Sequence, residues 1–177
     1  MTTNRKVILY IAMSLDGYIA KSDGDISFLS QVEQKGEDYG YSAFTERVDT
    51  IILGRKTYDK ILSMGFDAYY GDRSVFVLTR SPHSATDKIT FYSGNLPELI
   101  SSLKGQTGKH IYCDGGAETV NLFLLENLFD ELIISIIPVL LGDGIRLFGK
   151  NFPEQKLQLV SSKSFEKGLV QLHYIRI

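Results

Sequence analysis

The chain has 177 residues, of which 44% are hydrophobic and 23% are charged, as in an ordinary globular protein. Nineteen Lys and Arg residues against 21 Asp and Glu residues give a net charge of −2, which is no reason to expect a nucleic-acid partner. We expect residues 1–177 to form a single domain, because this length is enough to bury a real core.

The use of cysteine and of long apolar runs points to the cytoplasm. Cys113 is the single cysteine and cannot form an internal disulfide, which favours a reducing compartment. The first residues lack the apolar stretch of a secretory signal. The longest apolar run, 132–141, contains Ser135 and Pro138 and is too short to span a bilayer, so we interpret it as a buried strand. We therefore expect a cytoplasmic protein.

Strands and helices alternate along the first two thirds of the chain, and only strands follow. The apolar patterns predict strands over 6–13, 49–53, 74–79, 89–92 and 110–113. The intervening helices are predicted over 37–48, 56–63, 96–103 (capped by Asn95) and 117–126. Further strands are predicted over 131–139, 157–165 and 169–177, with a hairpin turn at 166–168.

This order predicts a three-layer α/β/α fold. Alternation favours a mainly parallel, mixed sheet of about eight strands with helices on both faces, and the C-terminal hairpin adds antiparallel strands at one edge. Ligands of open α/β sheets bind at the carboxyl ends of the strands. Four such ends carry residues suited to binding, namely 14–19, 54–57, 79–81 and 114–119.

Two of these strand ends are suited to phosphate. Gly54 ends an apolar strand, and Arg55 and Lys56 open the next helix, where unpaired N–H groups and cationic side chains attract anions. Gly115 and Gly116 likewise separate a buried strand from a helix, so that a pyrophosphate can approach bare backbone. Taken singly, each motif is also compatible with an ordinary turn.

Other kinds of site find no support in the sequence. His83, His110 and His173 have no metal-ligand spacing with one another or with Cys113, and His83 is expected in a surface loop. Residues 142–149 superficially resemble a dinucleotide fingerprint, but the third glycine is misplaced and we expect a loop. We therefore predict no metal site, and the serine-hydrolase elbow is also missing.

The motifs together resemble a known family. The order of 11–20 (IAMSLDGYIA), 53–58 (LGRKTY), 77–81 (VLTRS) and 114–118 (DGGAE) resembles the dihydrofolate reductase-like superfamily. Residues 129–132 (FDEL) and 138–148 (PVLLGDGIRLF) are similar to its branch that contains the reductase domain of bacterial riboflavin biosynthesis. The resemblance covers nearly the whole chain, and it implies that the cofactor is NADPH.

The resemblance also implies a set of residues that bind the cofactor. The first group would offer backbone groups to the nicotinamide carboxamide, the second would hold the 2′-phosphate and the pyrophosphate, the third would line the adenosine side, and the fourth would cradle the pyrophosphate. In that order they are Ala12 and Ile19; Gly54, Arg55, Lys56 and Thr57; Leu78, Thr79, Arg80 and Ser81; and Gly115, Gly116, Ala117, Glu118 and Thr119. The family often joins its glycine pair by a cis peptide, and its mobile lid corresponds to residues 16–28.

Roles for catalysis and for the substrate are implied less closely. Glu33 aligns near the carboxylate that folate reductases use, and Asp114 beside the glycine pair is the alternative acid. The substrate would contact a hydroxyl and a group of aromatic rings: Ser135, Tyr10, Phe28, Tyr41 and Phe44. Glu33 as a solvated loop residue, and the aromatic residues as plain core, stay open as alternatives.

The expected activity is an NADPH-dependent reduction of a small heterocycle, most like the 5-amino-6-(5-phosphoribosylamino)uracil reductase of riboflavin biosynthesis. Segment 65–73 lacks the proline-and-arginine pattern that those reductases use toward a ribose phosphate, although Arg73 and Arg146 could take that role.

The alternatives are a dihydrofolate reductase, which usually has tryptophan where Phe28 stands, and a non-catalytic NADP-binding module. The resemblance also implies a homodimer, with the terminal hairpin as a plausible contact.

Overall fold

The computed structural model describes residues 5–65, 70–81, 86 and 88–177. His83, which the sequence predicts in a surface loop, lies outside the described residues, as does part of segment 65–73. The described strands are β1 (Val7–Ser14), β2 (Tyr18–Ala20), β3 (Val48–Gly54), β4 (Ser74–Leu78), β5 (Ile89–Tyr92), β6 (His110–Gly115), β7 (Glu131–Ile137), β8 (Ile145–Arg146), β9 (Leu157–Ser164) and β10 (Val170–Arg176). The described helices are α1 (Tyr41–Thr45), α2 (Arg55–Ser63), α3 (Leu96–Lys104) and α4 (Ala117–Leu125), with a 3₁₀ turn over Ser27–Val32.

Eight of these strands form one sheet in the order β5-β4-β3-β6-β1-β7-β10-β9. The strands from β5 to β7 run parallel to their neighbours, whereas β10 is antiparallel to β7 and β9 is antiparallel to β10. The predicted mixed sheet with an antiparallel hairpin at one edge is therefore confirmed. Parallel pairing of β3, β4 and β6 brings the carboxyl ends of these strands to one side of the molecule.

The core lies on both faces of the sheet. Leu9 faces a cluster that includes Val120 and Phe123 of α4 together with residues of α3. Its neighbour Ile8 faces the opposite cluster, which includes Phe44 of α1. Because successive side chains of a strand point to opposite faces, a strand covered on both sides must be apolar throughout. The three-layer architecture follows from this pattern.

The predicted helix over 37–48 is wrong in extent, because only Tyr41–Thr45 is helical. Tyr39 and Gly40 have positive φ angles of 58° and 85°, which a right-handed helix excludes. The carboxylate of Asp38 accepts hydrogen bonds from the backbone N–H groups of Gly40 and Ser42, so this polar turn replaces the first turns of the predicted helix.

A second, two-stranded sheet is absent from the sequence prediction. β2 pairs with β8 in antiparallel fashion, which joins the segment after β1 to the predicted loop over 142–149. Each strand has only two or three residues and shows no alternating pattern of its own. Pairing in space, and not local propensity, therefore forms these strands.

An ion-pair cluster holds the opposite end of the sheet. Glu131 is only 3% exposed, and its carboxylate lies 2.5 Å from Lys6 Nζ and 3.1 Å from His173 Nε2. Burial opposes ionisation of Glu131, but the hydrogen bond and charge of Lys6, together with His173, hold its pKa below the usual value. His173 thus ties β10 to β7, and His110 accepts a hydrogen bond from the backbone of Lys6, so both histidines are structural.

We expect Glu131→Gln to destabilise the protein by about 3 kcal/mol at pH 7, because a buried pair is broken from one side. The carboxylate has a lowered pKa in the folded state, so its contribution is present above the unfolded value of about 4.3 and is lost as the pH falls through the folded pKa. Urea unfolding of the wild type and of Glu131→Gln, at pH 7 and at lower pH, measures the free energy of unfolding of each protein. The difference between the two free energies should decrease as the pH is lowered.

The control is Glu154→Gln, which neutralises an exposed loop carboxylate and should change the free energy of unfolding by less than about 0.5 kcal/mol. A Glu131→Gln protein as stable as the control would contradict a stabilising role for the cluster.

Candidate functional site

Two helices begin side by side at the carboxyl end of the sheet. Gly54 is the N-cap of α2 at the end of β3, and Gly116 is the N-cap of α4 after the neighbouring strand β6. In the part of the chain that the structure describes, neither helix has a hydrogen bond from its first turn to an N-cap side chain, since both N-cap residues are glycines. Helix starts of this kind present first-turn N–H groups to an anion.

The glycines at these helix starts permit very close packing. A Cβ added to Gly54 would lie 2.6 Å from Thr119 Oγ1, and one added to Gly116 would lie 2.9 Å from Thr57 Oγ1. The Gly116 N–H donates to Thr57 Oγ1 at 2.7 Å, which joins the start of α4 to the first turn of α2. The Gly115–Gly116 peptide bond is cis, as the resemblance implies. Any side chain would fill this cradle, which we call the glycine cradle.

Cationic side chains surround the glycine cradle. Lys56 Nζ lies 2.6 Å from Glu118 Oε1, with both side chains largely exposed, and Arg55 is paired with Asp59 at 2.8 Å. The hydrogen bond and charge of Lys56, with a smaller effect of Arg80, lower the pKa of Glu118. Arg80 follows β4, which pairs with β3, so Arg55, Lys56 and Arg80 all follow the carboxyl ends of neighbouring strands.

The end of β4 completes this side of the site. Leu78 ends β4, which pairs with β3 up to Gly54. Beyond it, the Ser81 N–H donates to Thr79 Oγ1 at 3.2 Å, forming a tight turn that leads away from the sheet. The structure thus gathers the predicted cofactor residues of 54–57, 78–81 and 115–119 at one edge. Two helix starts, bare glycine backbone and three cations form a donor set that fits a phosphorylated dinucleotide.

A cavity of about 750 Å³ opens next to this edge, beside β1 and β7. Five of the predicted site residues line it, from β1, β7, α1 and the 3₁₀ turn: Tyr10, Ala12, Ser135, Tyr41 and Glu33. Ala12 is also a predicted nicotinamide contact, so the cavity reaches the expected position of the reactive ring. Tyr39, which the sequence reasoning did not select, lines the cavity as well.

Two predicted aromatic contacts lie behind the walls of the cavity. Phe28 is 8% exposed and packs with Val32 and Leu169, whereas Phe44 is 3% exposed and stacks on Tyr10 with ring centroids 4.7 Å apart. Both rings fix the position of residues that do line the cavity. Phe28 and Phe44 are therefore surrounded by core residues, as the alternative interpretation of their role assumes.

A hydrogen-bond network crosses the floor of the cavity. Gln171 Nε2 lies 3.1 Å from Tyr10 Oη and 3.2 Å from Ser135 Oγ, and it also donates to the Tyr39 carbonyl at 3.1 Å. Ala12, Ser135 and Gln171 are register partners across β1, β7 and β10. Burial raises the pKa of Tyr10, against the opposing effect of the Gln171 hydrogen bond, so Tyr10 is a neutral phenol at pH 7.

Sequence reasoning missed Gln171. The available signal was a polar residue between Val170 and Leu172 in the predicted strand over 169–177. Only the register of β10 against β7 shows that this amide reaches a serine predicted as a substrate contact.

The two candidate acids lie in different places. Asp114 is half-buried near the glycine pair, and Tyr112 Oη donates to its Oδ1 at 2.6 Å. Glu33 is exposed at the end of the 3₁₀ turn, on the wall of the cavity. Asp114 thus lies beside the glycine cradle and outside the described lining of the cavity, whereas Glu33 lies on the wall of the cavity.

The segment after β1, over 16–28, is fastened to the loop that carries β8. Asp16 accepts hydrogen bonds from Ser14 Oγ at 2.6 Å and from the Gly142 N–H at 2.7 Å. The Ser14 hydrogen bond is the main cause that lowers the pKa of Asp16 to about 2. The Arg146 guanidinium lies 4.7 Å over the Tyr18 ring, at the pairing of β8 with β2.

Within the described residues no group of three or more His, Cys, Asp or Glu side chains is placed to hold a metal ion. None of the described helices is long and apolar enough to cross a membrane.

Comparison with known proteins places this geometry in a family. Residues 67–171 match the model of the RibD C-terminal domain. The Bacillus subtilis protein YwjB is 47% identical over 97% of this chain and 98% of its own length. A crystal structure of a Shewanella sp. PV-4 protein, described as a riboflavin biosynthesis protein, superimposes with a TM-score of 0.90 at 35% identity, covering 97% of this chain and 99% of that one.

A more distant structure shows the same fold within a longer protein. The Thermotoga maritima diaminohydroxyphosphoribosylaminopyrimidine deaminase/5-amino-6-(5-phosphoribosylamino)uracil reductase has a TM-score of 0.73 at 15% identity. The match covers 98% of this chain but 57% of that protein. From the family model, the YwjB match and the shared fold, it follows that this chain belongs to the family of RibD C-terminal domains.

Proposed function

We propose that this protein is an NADPH-dependent reductase that acts on a small planar heterocycle. The observation that carries the proposal is the arrangement of two binding features side by side. The glycine cradle and its cations lie at the ends of β3, β4 and β6, and the aromatic cavity, which Ala12 helps to line, lies at β1 and β7, with β1 next to β6. Family membership favours a reductase of the riboflavin branch over a folate reductase.

Residues of the glycine cradle would hold the cofactor. The N–H groups at the starts of α2 and α4 suit the pyrophosphate, and Arg55, Lys56 and Arg80 supply the charge that a 2′-phosphate needs. Lys56 would exchange its pairing with Glu118 for the phosphate. When bound, NADPH supplies the hydride that the reduction consumes.

Residues of the cavity would hold the substrate. The rings of Tyr39 and Tyr41 offer flat apolar walls, while Ser135 and Tyr10 present hydroxyl groups whose positions Gln171 fixes from below. Such a set orients a heterocycle by its polar edge against the cofactor. The C=N or C=O bond that is reduced gains hydride at carbon and a proton at nitrogen or oxygen, and the proton comes from an acid of the protein.

We assign the proton donor to Asp114, because it lies beside the glycine cradle at the end of β6, the neighbour of β1, and is partly shielded from water. Tyr112 Oη holds this carboxyl group in place and also contacts the Tyr10 carbonyl at 3.0 Å. Glu33, exposed at the wall of the cavity, would contact the outer part of the substrate.

The first experiment tests the cofactor. We expect Arg55→Ala to weaken NADPH binding by about 1.5–3 kcal/mol, the usual value of a hydrogen bond to a charged group, and to affect NADH much less. Isothermal titration of both nucleotides measures the difference. Lys60→Ala on the same helix is the control and should change neither affinity. Equal losses for NADPH and NADH would rule out contact with the 2′-phosphate.

The second experiment separates the two acids. Asp114→Asn keeps the acceptor for Tyr112 but removes the acidic proton, so we expect kcat to fall by about 10²–10⁴-fold with NADPH affinity retained. Glu33→Gln should alter KM with little change of kcat. Steady-state kinetics of both variants across pH measure this. If instead Glu33→Gln abolishes the pH dependence of kcat, the two roles are reversed.

We also propose that the protein forms a homodimer through β9, the edge strand of the main sheet. Leu157, Leu159 and Val160 are 40%, 50% and 51% exposed there, and an exposed apolar edge invites pairing with another strand.

Light scattering coupled to size-exclusion chromatography should give the mass of a dimer, and Leu159→Lys should give a monomer. The control is Leu122→Lys on α4, where an equally exposed leucine is changed. A wild-type monomer would end this proposal.

A further inference from the structure

The two halves of the site carry opposite charge. Arg55, Lys56 and Arg80 follow the strand ends that form the side of the glycine cradle, whereas the described lining of the cavity contains Glu33, Glu37 and Asp38 against the single cation Lys35. Three carboxylates and one ammonium group give this lining a negative balance.

The local structure keeps two of these carboxylates on the wall. Glu37 accepts a hydrogen bond from the Tyr39 N–H at 2.7 Å, and Asp38 accepts from the N–H groups of Gly40 and Ser42 at 2.8 and 3.0 Å. A hydrogen bond with the Ser42 side chain is the main cause that lowers the pKa of Asp38, and the bond from the Ser42 N–H adds to it, so this carboxyl group is ionised at neutral pH. The turn at 37–40 therefore presents fixed negative charge to the cavity.

This charge reaches the floor of the cavity. The pKa of Tyr10 is raised first by burial and then by the charges of Asp38 and Glu37. A hydroxyl group that the substrate would contact thus already experiences their field. An anionic substituent bound in the same space would experience it too.

The arginines that could have balanced this charge are engaged elsewhere. Arg73 donates to the Thr45 carbonyl at 2.9 Å, and Arg146 donates to Tyr18 Oη at 3.0 Å while lying over its ring. Every Lys and Arg of the chain lies among the described residues, and Lys35 is the one that lines the cavity. The expectation that Arg73 or Arg146 holds a ribose phosphate therefore finds no support in their positions.

We propose that the cavity takes an amino-substituted planar heterocycle that is neutral or cationic and carries no phosphate. This proposal rests on the reductase function proposed above and narrows its substrate class. Ring faces would lie against Tyr39 and Tyr41, polar ring atoms would face Ser135, and amino groups would lie toward the carboxylates of the wall. Phosphate recognition would be left to the glycine cradle, where the cofactor needs it.

The test compares two molecules that differ by the phosphate alone. The probes are 5-amino-6-(5-phosphoribosylamino)uracil and its dephosphorylated riboside, with 2,4-diaminopyrimidine as a smaller cationic heterocycle. Each is titrated calorimetrically into NADPH-saturated protein. We expect the riboside to bind at least tenfold more tightly than its phosphate, and the preference to weaken at high salt because it is electrostatic.

The variant Glu37→Gln/Asp38→Asn removes two charges but keeps an oxygen acceptor at each position. We expect it to reduce the preference for the riboside at least threefold. The matched control, Glu126→Gln/Glu154→Gln, removes two exposed carboxylates outside the cavity lining and should leave the preference unchanged.

Three results would overturn the inference: tighter or equal binding of the phosphate, a preference that the cavity variant does not alter, or no binding of any phosphate-free probe at millimolar concentration. Titration of NADPH alone separates this inference from the function on which it rests. Loss of NADPH binding would defeat the reductase proposal itself, whereas normal NADPH binding with a preference for the phosphorylated probe would defeat only the assignment of substrate class.

Discussion

The site depends on the close approach of two helix starts, α2 and α4, at the ends of neighbouring strands. The hydrogen bond from the Gly116 N–H to Thr57 Oγ1 joins them, and glycine at 54 and 116 removes the side chains that would separate them. Parallel pairing of β3 with β6 makes this meeting unavoidable once the sheet has formed. The sheet therefore positions the donors, and the glycines leave their backbone accessible.

The C-terminal hairpin contributes more than an edge to the sheet. β10 lies against β7 and places Gln171 under the cavity, where its amide reaches a tyrosine of β1 and a serine of β7. Two residues further along the same strand, His173 Nε2 lies 3.1 Å from the buried carboxylate of Glu131. Strand β10 thus contacts the buried carboxylate of Glu131 through His173 and holds polar groups of the cavity through Gln171. Strand β10 therefore contributes both to the packing of the sheet and to the hydrogen bonds beneath the cavity.

Much of this arrangement could be predicted from the sequence, because it follows from local rules. Apolar strands and short helices gave the order of elements, and glycines after strands marked the cradle of Gly54 and Gly116. The helix over 37–48 was mispredicted because the apolar spacing of Tyr41, Phe44 and Val48 outweighed the turn chemistry of Asp38 and Gly40.

Other features could not be read from the sequence because they depend on pairing between distant residues. Gln171 becomes part of the site only through its register with Ser135, and the short strands β2 and β8 exist only because they pair with each other. The charge of the cavity wall likewise depends on which carboxylates the fold turns toward it, since the composition of the whole chain is nearly balanced.

The connection between Asp16 and Gly142 has a consequence for motion. These residues are 126 positions apart, yet the 16–28 segment cannot move away from the sheet without either breaking this hydrogen bond and the β2–β8 pairing or carrying the 141–146 loop with it. The two stretches form one mechanical unit. Substitutions in the 141–146 loop should therefore change the position of the 16–28 segment as effectively as substitutions beside β1.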